Sequence, residues 1–547
     1  MTVVFTIIII SFFITISVIP ILYKIALKYN LLLDIPSKRK MHERPVPRIG
    51  GIGMALAFFV TTFMWVPKNE FFYAFLTGCG IIVFFGILDD LFSLGYKSKF
   101  SAQILAAVVL IVYGKVRILS VGNILPEDFC LSDWSSFLLT LIVIVGITNA
   151  INLADGLDGL AGGICLLAFS CIAYLAYLVH MPIILLFCAS MIGSILGFLR
   201  FNTYPATIFM GDTGSQLLGF SGIILAIKLT QESIDLSPVL PALIFGVPIL
   251  DTLSVMTQRM MEKRPLFKAD KNHFHHKLIR LGLFHTEAVV VLYTLQFLFI
   301  LLAIIFRTSS SIIILLGFII FLVLTILFFI FIEKRDYKLV RFEFITNLKS
   351  KLRDIREQGF FIKWCFFALK IFLPVLMVFI SFVPANIPKY LSIVATAIVI
   401  LLLISIGTGK ILNLLLRLIA YMFFPYLIFL GEQNSYVLTN HSLLIGYNLL
   451  FLLVTTFSVL TIKLTRRRSG FYVTPMDILI LLIITSLFII PADNINIHKV
   501  GMIAAKSLII LFGYEVLIGE LRKETKALSI FILGVLIAII IRGFCAI

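Results

Sequence analysis

Two adjacent carboxylates, Asp89 and Asp90, come directly after an apolar run of this 547-residue chain. Carboxylates this close repel each other unless a cation or a proton shares the site. The pair is therefore a candidate metal-binding or general-base position. Lys99 lies in the same polar link. A solvated cap between two helices is the structural alternative for the two aspartates.

A second polar link, NAINLADGLDG at residues 149–159, carries amides and carboxylates but no Lys or Arg. If the stretch is helical, the spacing of three predicts that Asn149, Asn152, Asp155 and Asp158 share one helical face. Membranes penalise unpaired carboxylates strongly, and an anchoring role cannot explain a link without basic residues. We therefore expect the carboxylates of this link to be neutralised by a cation that another part of the chain or a ligand supplies.

Two further links contain residues suited to a hard cation or to phosphate. Asn202 ends an apolar run, and Asp212 lies in the string FMGDTGS, where it suits a hard-cation ligand or an N-cap. Three histidines, His273, His275 and His276, stand among Lys and Arg. The surrounding positive charge and the oxygen ligands elsewhere favour Mg²⁺, with zinc as the lesser alternative. We expect the histidines to donate hydrogen bonds to a phosphate chain.

The first polar link is basic and rich in glycine, with HERPVPRIGG at residues 42–51. Its basic side chains, Arg44 and Arg48 among them, could bind phosphates, and its two consecutive glycines allow a close backbone approach. The alternative is a positively charged membrane anchor followed by a small-residue packing face.

The composition identifies the elements that must position these residues. The chain is 61% hydrophobic and 13% charged, with a mean hydropathy of +1.10, which excludes an ordinary water-soluble protein. Apolar runs long enough to cross a hydrocarbon core about 30 Å thick recur throughout. We predict an all-α polytopic membrane protein with about 11 helices in residues 1–332 and about seven more in residues 364–547. The predicted spans are 2–22, 50–66, 71–88, 101–119, 135–149, 159–179, 182–199, 214–230, 238–256, 288–306, 311–332, 364–383, 390–406, 411–430, 443–464, 475–491, 500–518 and 527–543.

The basic residues predict the sidedness. The net charge is +17, and Lys and Arg concentrate in alternate links, which places those links in the cytoplasm. All the candidate site residues fall on that side. The charge indicates membrane anchoring, and no nucleic-acid partner is expected. Residues 333–363 read as a basic amphipathic linker lying on the membrane surface. The role of residues 364–547 is not indicated by their sequence.

The set HERPVPRIGG, LDD, NAINLADGLDGLAGG, FMGDTGS and HFHHKLIRLG resembles the polyprenyl-phosphate N-acetylhexosamine-1-phosphate transferases of glycosyltransferase 4 type. The match covers about residues 1–335, with all five motifs in order, and is similar to the WecA/TagO-like branch. The resemblance implies an enzyme of the bacterial inner membrane that initiates a cell-surface polysaccharide. Its reaction joins a sugar 1-phosphate, GlcNAc-1-phosphate being favoured, from a UDP-N-acetylhexosamine to undecaprenyl or another polyprenyl phosphate, and it releases UMP.

The same resemblance assigns roles to residues. It implies Mg²⁺ as the cofactor, with Mn²⁺ as an alternative, held by Asn152 and Asp212. It implies a homodimer as a candidate assembly. The residues it places in catalysis are Asp89, Asp90, Asp155, Asp158 and Lys99. The residues it places at the substrates are Asn202, His273, His275, His276, Arg44 and Arg48.

Two other functions are compatible with parts of the sequence. A MurNAc-pentapeptide phosphotransferase shares the reaction but is expected to have a different first link and three consecutive histidines. A transporter or flippase of polyprenyl-linked sugar is expected to carry polar residues near the middle of the membrane, whereas here they gather at one face.

Overall fold

The computed structural model describes residues 2–34, 45–126, 131–263, 272–334, 360–408, 412, 415–416, 419–433, 440–464, 495–521 and 525–545. Among these residues, eleven helices are long and apolar enough to cross a membrane, and further apolar helices are shorter. The prediction of an all-α polytopic membrane protein is confirmed. The described residues fall into two compact units, 2–334 and 360–545. Most of the predicted linker 333–363 and the predicted span 475–491 lie outside the described residues.

The first unit contains thirteen α-helices and one short 3-10 helix, Gly122–Ile124, within its described residues. The α-helices are α1 (Thr2–Tyr29), α2 (Gly50–Trp65), α3 (Glu70–Phe92), α4 (Tyr96–Val112), α5 (Asp133–Ala154), α6 (Leu160–Leu178), α7 (Pro182–Asn202), α8 (Gly211–Glu232), α9 (Leu240–Ile244), α10 (Gly246–Met261), α11 (Phe274–Arg280), α12 (His285–Ile305) and α13 (Ser311–Lys334). Helices lie at all eleven positions predicted as spans in this half, with one of them divided into α9 and α10, and eight of these helices are long and apolar enough to cross a membrane.

The break between α9 and α10 is supported by a polar side chain from α12. The Gln296 side chain donates from Nε2 to the carbonyl of Ile244 at 2.8 Å and accepts from the backbone N–H of Val247 at 3.1 Å. Backbone groups freed inside a membrane must find partners within the protein. Because Gln296 supplies both partners, the helix can be interrupted at Phe245, between α9 and α10.

Helix α8 is the central element of the first unit, and its small residues allow neighbouring backbones to approach closely. A Cβ added at Gly219 would lie 2.8 Å from the Cα of Thr148 on α5. A Cβ at Gly86 on α3 would lie 2.6 Å from the Cα of Thr213. Small residues at helix contacts are typical of packing in lipid, where close van der Waals contact stabilises association. This packing brings the ends of α3 and α5 to the start of α8.

The one departure from an all-α fold among the described residues is a two-stranded antiparallel ladder, β1 (Leu33–Asp34) with β2 (Val46–Pro47). It joins the two ends of the first polar link. The backbone N–H of Phe209 also donates to the carbonyl of Pro47 at 2.8 Å. The ladder therefore attaches the first link to the segment that leads into α8.

The second unit is a separate helical bundle. Its described helices are α14 (Phe360–Phe382), α15 (Lys389–Thr408), α16 (Phe424–Gln433, preceded by a π-helical turn at Ile419–Phe423), α17 (His441–Leu464), α18 (Ile495–Leu521) and α19 (Thr525–Cys545). Inside its apolar core, Lys506 donates to Glu432 at 2.6 Å, and both side chains are buried. Because breaking a buried pair leaves an uncompensated charge, this contact fixes α16 against α18.

Candidate active site

Asp212, Asn152, Lys99 and Asp89 form a polar cluster at one end of the first unit. Asp212 lies in the first turn of α8, and its Oδ1 accepts from Asn152 Nδ2 at 2.7 Å. Asn152, in the last turn of α5, also donates to Ser215 Oγ at 2.8 Å. Lys99 Nζ donates to Asp212 and lies 2.7 Å from Asp89 Oδ2. Four residues from four helices therefore meet, and we call them the carboxylate–lysine cluster.

The cluster holds a positive charge between two carboxylates. Although burial opposes the charged ammonium, the contacts with Asp212 and then Asp89 hold the pKa of Lys99 above its ordinary value. The second carboxylate oxygen of Asp89, Oδ1, is buried and has no hydrogen-bond partner. An unpaired buried acceptor is costly, and such groups are often found at functional sites. The arrangement suits a ligand that brings positive charge.

Asp90 plays a different part from its neighbour Asp89. Its Oδ1 accepts from the backbone N–H of Asp212 at 3.0 Å, and its Oδ2 accepts from the N–H and the hydroxyl of Thr213 at 3.0 and 2.7 Å. Asp90 therefore caps the N-terminus of α8 from a different helix, where a carboxylate is favoured. Gly211, with φ of +69°, leaves room for this carboxylate. The geometry separates the two aspartates: Asp90 positions Asp212, and Asp89 contacts Lys99.

We expect Asp90→Ala to lower the stability of the protein. The substitution leaves buried donors of Asp212 and Thr213 without an acceptor, at a cost of about 1–3 kcal/mol. The thermal midpoint of the detergent-purified protein measures this loss. Asp90→Asn keeps one acceptor oxygen and should lose less. Asp235→Ala, which alters an exposed acidic residue, is the control, and an unchanged midpoint for Asp90→Ala would contradict the capping role.

The predicted helical face of the second link is only partly correct. Asn149 and Asn152 lie in α5, but the helix ends at Ala154, and Asp155 and Asp158 lie in the following loop. Gly159 has φ of +81°, a conformation that glycine adopts readily and that starts α6 in a new direction. Asp155 and Asp158 therefore reach the site from a loop and not from a helical face.

The carboxyl of Asp155, in this loop, has a strongly raised pKa. Burial, followed by the nearby charges of Asp212, Asp158 and Asp90, raises its pKa to about 7, while Arg48 opposes the shift. A carboxyl with this pKa changes between its protonated and its ionised form near neutral pH. Strongly shifted groups of this kind gather at functional sites.

Three side chains hold the loop between α5 and α6. Asn202 accepts from the N–H of Gly159 at 2.9 Å and donates to the carbonyl of Ile208 at 2.9 Å. Tyr293 donates its hydroxyl to the carbonyl of Gly159 at 2.6 Å. His285 Nε2 accepts from the N–H of Asp158 at 3.2 Å. Because both ends of its amide are engaged by backbone, Asn202 shapes the site and holds the loop in place.

The histidine segment, His273–His276, lies over the same loop. A Cβ at Gly156 would collide with the ring of His275, so only glycine fits beneath this ring. Burial, and next the neighbouring His276, lower the pKa of His275 to about 4, so its imidazole is neutral at pH 7. The rings of His275 and His276 are 4.2 Å apart, and those of His273 and His275 are 5.9 Å apart and nearly parallel. His275 thus adjoins the Asp155–Gly159 loop, and His273 and His276 lie beside His275.

The first link contributes through its C-terminal part. Arg48 donates to the buried Asp34 of β1, and its charge acts on Asp155. The N–H groups of Gly50 and Gly51 donate to the carbonyls of Phe209 and Met210, each at 2.9 Å. The glycine pair therefore allows the backbone at the start of α2 to lie close to the backbone that leads into α8, as the sequence predicts. Arg44 lies outside the described residues.

Sequence reasoning missed several residues that the structure adds to this region. Asp251, in an apolar stretch of α10, could have been found as an ionisable residue inside a predicted span. His285 follows the histidine motif by only a few residues. The amides of Gln103 and Gln216 are 3.1 Å apart and extend the polar network from Asn149. Thr213 and Ser215 carry no signal beyond their place in FMGDTGS.

The donor set fits a magnesium ion. No group of three or more His, Cys, Asp or Glu with metal-binding geometry occurs in the part of the chain that the structure describes. Mg²⁺ usually binds one or two carboxylates and fills its other positions with water and substrate phosphate. Asp212 and Asp89 supply carboxylates, and Asn152 supplies an amide oxygen once its amide is turned, since the two ends of an amide have nearly the same shape. The Lys99 ammonium lies between these two carboxylates, so their oxygens already contact one positively charged group.

A helical membrane bundle with this cluster at one end belongs to the class of integral membrane enzymes. Comparison with known proteins identifies the family. Residues 72–230, which contain most of the site, match the profile of glycosyl transferase family 4. The chain is 40% identical over 309 residues to the probable undecaprenyl-phosphate N-acetylglucosaminyl 1-phosphate transferase of Bacillus subtilis strain 168, across 55% of this chain and 84% of that protein.

More distant relatives carry the same description. The undecaprenyl-phosphate alpha-N-acetylglucosaminyl 1-phosphate transferase of Escherichia coli K12 is 29% identical over 278 residues, across 49% of this chain and 74% of that protein. Its namesake in Salmonella typhi is 31% identical over 279 residues, with the same coverage of 49% and 74%. The chain belongs to glycosyl transferase family 4, among the polyprenyl-phosphate N-acetylhexosamine-1-phosphate transferases that its motifs indicate.

Proposed function

We propose that this protein transfers GlcNAc-1-phosphate from UDP-GlcNAc to undecaprenyl phosphate and releases UMP. The observation that carries the proposal is the carboxylate–lysine cluster, with the Asp155–Gly159 loop and the histidine segment beside it. Both substrates are anions, so their approach requires cationic and hydrogen-bonding groups at one place. The relatives in Bacillus, Escherichia and Salmonella, which are named for this transfer, support the choice of lipid and sugar.

In the proposed reaction, an oxygen of the lipid phosphate attacks the β-phosphorus of UDP-GlcNAc. The bond between this phosphorus and the bridging oxygen breaks, and UMP leaves with that oxygen. The attacking phosphate is already largely ionised near neutral pH, so positioning and charge stabilisation contribute more than a strong base. No covalent intermediate on the protein is required.

We propose Mg²⁺ as the cofactor, held by Asp212 and Asn152 with support from Asp89; when bound, it neutralises negative charge on the transferred phosphoryl group. Lys99 stays within reach of the same phosphates and adds a second positive charge. Arg48 and the histidine segment flank the Asp155–Gly159 loop, where they can bind the diphosphate. Asp155, with a pKa near neutrality, can hold or release a proton beside the phosphates.

We propose that the site faces the cytoplasm of the bacterial inner membrane. The links that carry the site residues hold most of the Lys and Arg of the first half, as expected of cytoplasmic loops. The opposite end of the first unit has only a few basic side chains, including Lys115 paired with Glu70 at 3.0 Å and Arg117 paired with Asp133 at 3.3 Å. UDP-sugars are cytosolic and polyprenyl phosphate lies in the membrane, so the substrates would meet at this face.

The test is a reconstituted transfer assay. The full-length protein in lipid nanodiscs is incubated with UDP-[¹⁴C]GlcNAc, undecaprenyl phosphate and Mg²⁺, and lipid-extractable label and UMP are measured together. The expected result is equal production of both, lost when EDTA removes the divalent ion and regained with added Mg²⁺.

Three outcomes would overturn parts of the proposal. Equal activity in EDTA would show that the reaction does not require a divalent metal ion. Turnover of UDP-MurNAc-pentapeptide but not UDP-GlcNAc would change the donor. Absence of transfer with every UDP-N-acetylhexosamine, in protein shown by its thermal midpoint to be folded, would remove the reaction itself.

A further inference from the structure

Asp251 on α10 makes two contacts with the start of the histidine segment. One carboxylate oxygen, Oδ2, lies 2.8 Å from Nδ1 of His273, and the other, Oδ1, accepts from the backbone N–H of Phe274 at 2.7 Å. Both side chains of the pair are buried, with 5% of Asp251 and 7% of His273 exposed. Asp251 lies on α10, 22 residues before His273 in the chain.

The contact with Phe274 alone would be a helix cap, but the contact with His273 has a chemical consequence. A carboxylate only accepts hydrogen bonds, so Nδ1 of His273 must carry the proton that is shared with Asp251. This fixes the tautomer and the orientation of the ring, and it leaves Nε2 as the edge for other partners. Carboxylates orient metal-binding histidines in the same way, and removing those carboxylates typically costs about 10- to 100-fold in metal affinity or activity.

The oriented ring is connected to the proposed active site by direct stacking. His273 lies parallel to His275, with an angle of 7° between the rings, and His275 packs on Gly156 in the Asp155–Gly159 loop. A rotation of His273 would therefore disturb the ring that covers this loop. The short helix α11, which begins at Phe274, is fixed at the same point.

We infer that Asp251 is a positioning residue that sets the tautomer and the orientation of His273 for binding the diphosphate of the sugar donor. The inference rests on the proposed function for its substrate. It adds to the site a residue from α10, a helix that none of the motifs includes. Asp251 itself contacts no substrate in this role.

The first test measures the tautomer without any substrate. In Asp251→Asn, the amide oxygen can still accept from Phe274, but the amide NH₂ now faces Nδ1, which must give up its proton to accept. ¹⁵N spectra of histidine-labelled protein, with His273→Gln to assign the resonance, are expected to show Nδ1 protonated in the wild type and unprotonated in Asp251→Asn. A wild-type spectrum with Nδ1 unprotonated would overturn the inference.

The second test measures transfer. Asp251→Asn is expected to lower kcat/KM for UDP-GlcNAc by about 10- to 100-fold, with an unchanged thermal midpoint. The loss should be much smaller in a His273→Gln background, because the two residues act through one ring. Asp235→Asn, at an exposed residue in the turn between α8 and α9, is the control and should match the wild type.

The outcomes separate this inference from the proposed function. Full additivity of the two substitutions, or wild-type kcat/KM in Asp251→Asn, would overturn the positioning role. An inactive wild type with the expected tautomer would instead overturn the proposed reaction and leave the Asp251–His273 pair established.

Discussion

Replacing Asp212 by Asn is expected to lower kcat at least about 100-fold while leaving the fold intact. Asp212 is the residue on which the carboxylate–lysine cluster converges, since it accepts from Asn152 and contacts Lys99. The substitution removes one negative charge from the proposed metal site, and the same charge is the partner of Lys99. Removing one electrostatic contact at a reaction centre typically lowers kcat by about 10²- to 10³-fold. The initial rate of lipid-linked GlcNAc formation measures the effect.

The fold should survive Asp212→Asn because the start of α8 does not depend on this side chain. Asp90 accepts from the backbone N–H of residue 212, which the substitution keeps, and Asn is nearly isosteric with Asp. The concentration of Mg²⁺ that gives half-maximal rate should also rise in the variant. A wild-type kcat with an unchanged Mg²⁺ requirement would show that the metal does not bind at Asp212.

Lys99→Met is the substitution from which we expect the second largest loss. The side chain keeps much of its length but loses the charge that lies between Asp89 and Asp212. Without it, two carboxylates face each other and one positive charge near the phosphates is missing. We expect kcat to fall about 100-fold. We also expect half-maximal activation at a lower Mg²⁺ concentration, because the ammonium no longer competes for the carboxylates.

The matched control for this variant is Lys97→Met. Lys97 lies two residues before Lys99 in the same first turn of α4, carries the same charge, and is exposed to solvent. It should keep wild-type kcat and the wild-type Mg²⁺ requirement. Equal losses in the two variants would mean that general membrane-surface charge, and not the contact with Asp212, explains the effect.

The sequence predicts the helices of this protein well because lipid imposes a simple rule. A helix that spans a membrane must be apolar over about 20 residues, so α1 to α8 lie close to their predicted spans. The break at Phe245 was not predicted. It depends on Gln296, which satisfies the exposed backbone groups from another helix, and a contact 52 residues away leaves no local pattern.

For the site, the sequence predicts which residues gather but not what each of them does. Asp89 and Asp90 are indistinguishable by type and position, yet Asp90 is fully occupied by the start of α8 while Asp89 keeps one carboxylate oxygen unpaired. The family resemblance places Asn202 at the substrates, and in the structure its amide is occupied by backbone. These differences depend on how helices distant in sequence pack, which residue spacing does not encode.

The anchoring of Gly159 limits how this protein can change shape during turnover. Its N–H and its carbonyl are each bonded to a different helix, by Asn202 of α7 and Tyr293 of α12. The Asp155–Gly159 loop cannot open and close as a lid without breaking these two hydrogen bonds. We therefore expect the loop to stay in one conformation during the reaction. The Gly159 amide should accordingly exchange slowly with deuterated water, with or without nucleotide, and gating must come from another part of the molecule.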